Sequence, residues 1–380
     1  ATAFTEGTLA QIFKEKRGDN FVGGLPFYAR RLCGNKAWVG VALSALYIFY
    51  ALMCLPAQGL NVITSLGSIV GLVGGEKIPL QSTFYYVMSI LLLVFITFMA
   101  FGGIKRISRW ADILVPVMAV IYIGTAILLI LTNLGSVPYF FHAVFAGAFK
   151  PEAVFGGVLG TALLQGVKRG LMSNEAGQGT ITMAAASAEA HHPCEQGIIS
   201  ALGVFLDTHV ICTMTGFIII MAHQWVLNPE EWKAAGTYPK FLLSIHALTP
   251  DLLQTFVMVM VSICFCLFAY TCVMGFVTFS EISGNRISSS TSFITVLRLL
   301  CVFVTAFGIA CSIAGYDLSN LWAFSDLANI IMVYCNVPML YLGFRYVRKA
   351  AAHYAKNDGT PFTSETIGMK VDYWDERKDD

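Results

Sequence analysis

The chain has 380 residues, of which 56% are hydrophobic and only 12% charged. Soluble globular domains carry about 25% charged residues, and with a mean hydropathy of +0.68 this composition excludes an ordinary soluble fold. A net charge of +1 gives no electrostatic reason to expect a nucleic-acid partner.

Several stretches reach the roughly 20 apolar residues that cross a bilayer as a helix. The short alternating segments of a transmembrane barrel do not occur. The expectation is an all-α polytopic membrane protein embedded in the lipid bilayer. In chain order, residues 1–13 read as the end of a truncated transmembrane helix. Position 1 is Ala and the chain opens inside a helical pattern, so its beginning looks lost. Residues 14–36 read as a cytoplasmic loop and 37–345 as a membrane domain with eight spans. These spans lie near 37–57, 82–102, 112–132, 153–190, 197–222, 252–280, 292–312 and 321–344. Residues 346–380 read as a soluble cytoplasmic tail.

Basic residues gather in alternate loops: Lys14, Lys16, Arg17, Arg30, Arg31 and Lys36; Lys105, Arg106 and Arg109; Arg286; Arg345, Arg348 and Lys349. By the positive-inside rule both termini face the cytoplasm, which makes this a multi-pass protein of the inner (plasma) membrane. Most of the ten cysteines lie in apolar spans, with neither a CxxC pair nor metal-ligand spacing, so they read as small apolar helix residues. His191, His192 and Cys194 are too closely spaced for one tetrahedral metal site, and read as a loop closed by Pro193.

The span near 153–190 is too long for one straight crossing and contains "SNEAGQGT", residues 173–180. Gly177 and Gly179 weaken a helix there. The expectation is a half-helix, an unwound stretch around 174–180, and a second half-helix. Irregular backbone at membrane depth is tolerated only where protein or a water-filled cavity surrounds it. Broken helices of this kind build the midplane sites of secondary transporters, where helix ends meet charged groups and freed carbonyls meet cations. A glycine kink with no ligand is the plainer reading. Within the break, Glu175 needs a partner, and Arg169 or Lys168 is nearest in sequence; the pair is either structural or part of ion coupling or a gate. Asp207 in the fifth span is either a buried partner of Arg298 or a proton- or ion-coupling group, and His209 beside it reads as an interhelical hydrogen-bonder. Asp326 and Asn329 read as packing polarity of the last span.

"VKRGLMSNEAGQGTITMAAASAEAHHPCEQGIISALGVFLDTHVICTMTGFIII" resembles the signature region of the alanine or glycine:cation symporter family. "TEGTLAQIFKEKRGDNFVGGLPFY", "FAYTCVMGFVTFSEISGNRI" and "LWAFSDLANIIMVYCNVPMLYL" resemble other parts of the same family, and the resemblance runs to about residue 350. It implies a leucine-transporter-type inverted-repeat fold, here N-terminally truncated, and sodium-coupled symport of alanine or glycine by alternating access. It implies substrate contacts from Asn174, Glu175, Ala176, Gly177, Gln178, Gly179 and Thr180, with Phe276 as the substrate-facing aromatic. It implies a sodium-binding pair at Thr271 and Cys272, with sodium as the coupling ion and no cofactor or other metal.

Three positions depart from the family pattern. Cys272 stands where a second threonine is usual, and a thiol is a softer ligand than sodium prefers, unless its side chain faces away. Phe276 replaces a tryptophan and lacks the indole donor. "PAQGLNVITS" replaces a polar run, leaving Gln58 as either a substrate contact or an interhelical hydrogen-bonder. The competing readings are a non-transporting fragment of such a symporter and an intramembrane enzyme. The enzyme reading has no HExxH, GxSxG or phosphate-loop motif behind it.

Overall fold

A computed structural model describes residues 1–18, 20–149, 157–316, 319–356 and 359–377. It opens with α1 (Thr2–Ile12), a short antiparallel hairpin of β1 (Glu15–Arg17) and β2 (Asn20–Val22), and α2 (Leu25–Leu32). The hairpin pairs Glu15 with Val22 and Arg17 with Asn20. Then come α3 (Ala37–Gly74), α4 (Thr83–Ala100), α5 (Gly103–Thr132) and α6 (Val137–Ala148). A pair of helices, α7 (Gly157–Asn174) and α8 (Ile181–Ser187), is separated by six non-helical residues. Next, α9 (Pro193–Phe205) runs through a π-helical turn (Leu206–Cys212) into α10 (Thr213–Ala222). Three short helices follow, α11 (Gln224–Leu227), α12 (Pro229–Ala234) and α13 (Thr237–Leu248), and then the long α14 (Gln254–Ile287), α15 (Thr291–Ile313) and α16 (Ser319–Lys356). Two short helices, α17 (Ser364–Ile367) and α18 (Asp372–Glu376), complete the described chain.

Seven helical segments among the described residues are long and apolar enough to cross a membrane. They are Ala37–Gly74, Thr83–Ala100, Gly103–Thr132, Pro193–Leu227, Asp251–Ile287, Thr291–Ile313 and Ala323–Lys356. The chain is therefore an all-α polytopic membrane protein. Large apolar side chains on the periphery, such as Ile90, Val94, Val120, Phe303 and Tyr341, are exposed, as expected where lipid rather than water is the neighbour.

The core lies between α3 and α14, which pack along each other, with α15 and α16 against α3. Small residues bring backbones close. A Cβ at Gly59 would lie 2.7 Å from the Thr305 methyl and 3.0 Å from Ile309. One at Gly7 would lie 2.6 Å from Ser200 Oγ and 2.9 Å from the Gln196 carbonyl, so α1 and α9 approach through glycine and serine, the small-residue packing common between membrane helices. Although α1 is only 11 residues long, Thr5 to Ile12 are all buried.

The C-terminal region is folded and packs against the rest of the chain. The last long helix continues to Lys356. Beyond it Phe362, Ile367, Val371 and Trp374 are each at most 3% exposed and join the main core. The charged residues between them dominate the local composition and hide this apolar set. The "HHPC" stretch forms a helix start: the His192 side chain accepts the Cys194 N–H at 3.1 Å, and Pro193 takes the first helical position.

His192 also stacks on His353, with ring nitrogens 3.2 Å apart. Burial, helped by the His353 imidazole and opposed by Glu195, pushes His192 from its ordinary 6.5 down to about 4. Between those values the unfolded chain holds a proton that the folded chain does not, so stability rises with pH across the window and is lost as pH falls from about 6.5 to about 4. The thermal midpoint in detergent should drop between pH 7 and pH 5, and His192→Asn, which keeps a capping oxygen but does not titrate, should flatten that drop.

Candidate functional site

Six residues, Glu175 to Thr180, link α7 to α8. Three of them take left-handed backbone: Glu175 at φ 54°, Gly177 at 94° and Gly179 at 91°. At Gly179 the glycine is doubly required, because a Cβ would also lie 2.5 Å from the Tyr47 hydroxyl.

The freed backbone groups are collected by side chains from distant segments. The Gly177 N–H donates to both carboxylate oxygens of Glu6 on α1, at 3.0 Å each. Asn336 of α16 donates from its amide to Glu6 Oε1 at 2.6 Å and to the Gly177 carbonyl at 2.9 Å. The Tyr28 hydroxyl of α2 donates to Asn336 Oδ1. The Tyr47 hydroxyl of α3 donates to the Gln178 carbonyl at 2.9 Å. Thr182 donates to the Gly179 carbonyl and accepts the Leu25 N–H at 3.0 Å. Within the break, Asn174 accepts the Ala176 N–H at 3.0 Å, and Glu175 accepts the Thr180 hydroxyl.

One side chain of the break lacks a well-formed partner, and several residues beside it keep accessible surface. The Gln178 side chain is fully buried, faces the Tyr50 hydroxyl, and neither its oxygen nor its nitrogen has a well-formed hydrogen bond. Asn174, Glu175 and Ala176 are partly exposed although they lie between two halves of an interior helix. Cys272 is exposed too, between residues of α14 that pack inward, and lies within electrostatic reach of Glu175 and Cys54. The accessible surface at these residues marks a hollow beside the break, facing Cys272 of α14.

The other sequence-derived site residues fall around or away from this hollow. Phe276 is buried and meets Tyr50 edge-on at 5.8 Å. Thr271 donates to the Phe268 carbonyl at 2.9 Å, which leaves its oxygen lone pairs unused by that bond. Cys272 does not face away. Gln58 is tied locally, accepting from Asn61 on its own helix at 3.4 Å.

Two expected ion pairs are replaced by others. Arg169 and Lys168 do not meet Glu175; they reach Asp326 of α16 at 2.9 and 3.9 Å. The left-handed turn at Glu175 sends its side chain back toward Thr180 instead of along α7. Arg298 does not meet Asp207; it forms a two-bond pair with Glu281 of α14, at 3.0 and 2.6 Å. Asp207 sits on the π-helical turn, which aims it and Thr208 at the end of α7. It accepts the Ser173 hydroxyl at 2.7 Å, and Thr208 accepts from Asn174 at 3.2 Å. Such turns recur at functional sites because they re-aim side chains within a helix.

Sequence reasoning missed Glu6, Asn336, Tyr28 and Tyr47. A signal existed for Glu6, an ionisable residue in a helical apolar segment. Nothing local marks the tyrosines, whose partners lie more than 130 residues away.

Comparison with known proteins places this site in context. The model of the sodium:alanine symporter family matches residues 1–365. The chain belongs to that family. It is 32% identical over 356 residues to the amino-acid carrier protein AlsT of Bacillus subtilis, covering 94% of this chain and 71% of that protein. It is 31% identical to a sodium/proton-dependent alanine carrier protein of Bacillus sp. strain PS3, covering 99% of this chain and 83% of that protein. It is 30% identical to the sodium/alanine symporter AgcS of Methanococcus maripaludis, covering 90% and 71%. These are transport proteins, and this member of the sodium:alanine symporter family is a membrane transporter and not an enzyme.

In this symporter-family chain the break depends on Asn336, which bonds both Glu6 and Gly177. Asn336→Ala leaves a buried carboxylate and a carbonyl short of a donor, and should cost about 1–3 kcal/mol. Asn336→Asp sets a second carboxylate beside Glu6 and should cost more. Thermal unfolding of both variants checks this; an unchanged midpoint for Asn336→Ala would show that the break stands without α16.

Proposed function

We propose that the protein carries out sodium-coupled symport of a small neutral amino acid, alanine or glycine, by alternating access in a leucine-transporter-type inverted-repeat fold. Membership of a cation-coupled amino-acid symporter family supports this, and so do the relatives named for alanine and sodium. The observation that carries the reading is the hollow at the helix break, where a buried Gln178 amide without a well-formed hydrogen bond stands near Glu175, a partly exposed residue whose carboxylate accepts only the Thr180 hydroxyl.

A zwitterion suits that pairing. The Gln178 amide nitrogen offers a donor to the substrate carboxylate. Glu175, with the partial negative charge at the C-terminal end of α7, attracts the ammonium. Asn174, Ala176, Gly177, Gly179 and Thr180 complete the wall, and Phe276 limits the space for a substrate side chain. One methylene changes binding by only about 1–3 kcal/mol in such a pocket, so alanine and glycine overlap as substrates. Sodium is cargo here. As a hard cation it prefers oxygen, which the Thr271 hydroxyl and backbone carbonyls supply.

In this reading both termini lie in the cytoplasm of the cell that carries the protein in its plasma membrane. The Lys168 and Arg169 pairing with Asp326 then stands on the external side of the break, where it would part as the hollow opens outward.

Reconstituted protein should accumulate labelled alanine, saturably, under an inward sodium gradient. Uptake that follows a proton gradient equally well without sodium would overturn the choice of ion; no gradient-driven uptake of alanine or glycine would overturn the reading. Cys272→Thr replaces a soft ligand with a hard one and should lower the sodium concentration for half-maximal uptake. An unchanged sodium dependence would remove Cys272 from the ion site.

A further inference from the structure

We propose that the C-terminal segment, residues 360–377, is an intracellular strap that closes the cytoplasmic side of the site and must release before the site opens there. This rests on the transport reading for its purpose and on the following contacts for its existence.

The segment folds back on itself. Ser364 N–H donates to Asp375 Oδ1 at 2.8 Å, and the Val371 N–H donates to Ser364 Oγ at 2.8 Å. Lys349 of α16 donates to the Ile367 carbonyl at 2.8 Å. The knot so formed reaches three parts of the transporter body. The Trp374 indole donates to the Gln11 carbonyl, in the last turn of α1, at 2.8 Å. Arg377 donates to the Ala190 carbonyl and approaches His191 Nδ1 at 3.2 Å. Asp372 pairs with Arg31 of α2 at 3.0 Å. The Lys14 ammonium lies between rings of body and segment, 4.5 Å from the Phe21 centroid and 4.4 Å from that of Tyr373.

What the strap grips is the route out of the site. The seven residues of α8 begin directly after the break and end at the face where the segment docks, about 10 Å further along. The end of α8 is bound to α1: the Gln11 amide donates to the Ala185 and Ala188 carbonyls at 2.5 and 2.9 Å, and Lys14 donates to Ala188 at 3.1 Å. Trp374 and Arg377 then bridge the same α1 end to residues 190–191. Parting α1 from α8 opens the shortest way from the hollow to this face, and the strap spans that seam.

Four buried apolar side chains anchor the segment, Phe362, Ile367, Val371 and Trp374, with the Trp374 indole at 2% exposure. Around the indole stand a solvent-reachable ion pair and hydrogen bonds to carbonyls that water can replace, the make-up of interdomain contacts that part.

Cys272 lines the hollow and reports its opening. Inside-out vesicles carrying the full chain are treated with a membrane-impermeant maleimide, and the labelling lost in Cys272→Ser controls is taken as that of Cys272. Trp374→Ala should raise the cytoplasmic labelling rate by at least about threefold, a shift in the open population. Asp372→Arg should raise it as well, and Arg31→Asp combined with Asp372→Arg should bring it back by restoring the pair. Labelling needs no transport, so it judges the strap even if the wild type takes up no alanine, a result that would sink the transport reading alone. Equal labelling rates in wild type, Trp374→Ala and Asp372→Arg would overturn the strap. Should Trp374→Ala fail to fold, the Asp372→Arg variant and its charge-swapped rescue decide.

Discussion

A helix opened inside a membrane protein strands backbone donors and acceptors where water is scarce, and each unmet group costs several kcal/mol. The rest of this structure is arranged around meeting that demand at Gly177. A single N–H there is shared by two carboxylate oxygens of Glu6, and a single amide, Asn336, serves the same carboxylate and the carbonyl of the same glycine. Two helices from opposite parts of the chain, α1 and α16, thereby converge on Gly177, with Tyr28 of α2 behind Asn336 and Tyr47 of α3 on the next carbonyl. The short α1 is buried because it delivers Glu6; α16 bears an asparagine in an otherwise apolar stretch because it closes the ring.

Against that well-satisfied backbone, the unmet Gln178 side chain stands out. Buried amides normally find well-formed partners, and this one meets only the Tyr50 hydroxyl in poor geometry. The neighbouring acids are likewise held by hydroxyls and not by cations: Glu175 by Thr180, Asp207 by Ser173. The neighbouring basic groups pair elsewhere, Arg169 with Asp326 and Arg298 with Glu281.

The membrane-spanning helical architecture was legible in the sequence because composition and span length follow directly from bilayer physics. Gly177 and Gly179 also announced unusual backbone, since few other residues tolerate it. What composition could not show is which side chains would travel 131 to 330 residues in sequence to meet that backbone. The expected pairs of Glu175 with Arg169 or Lys168 and of Asp207 with Arg298 failed for a related reason: a left-handed turn and a π-helical turn re-aim the two acids, and neither turn has a local hydrophobic signature. The packing of the last segment was hidden in another way. Its four buried apolar residues are scattered among charges, so no periodicity marks them.

The length of α3 has a consequence of its own. At 38 residues it is about 57 Å long, nearly twice the hydrocarbon thickness of about 30 Å. Its neighbour α14, at 34 residues, is in the same position. Helices this long accommodate hydrophobic mismatch by tilting or by thickening the lipid around them. Because these two form the wall that carries Tyr47, Tyr50, Thr271 and Cys272, any change in their tilt changes the width of the hollow. The lipid environment thus becomes a mechanical input: bilayer thickness bears on the same helices that flank the break.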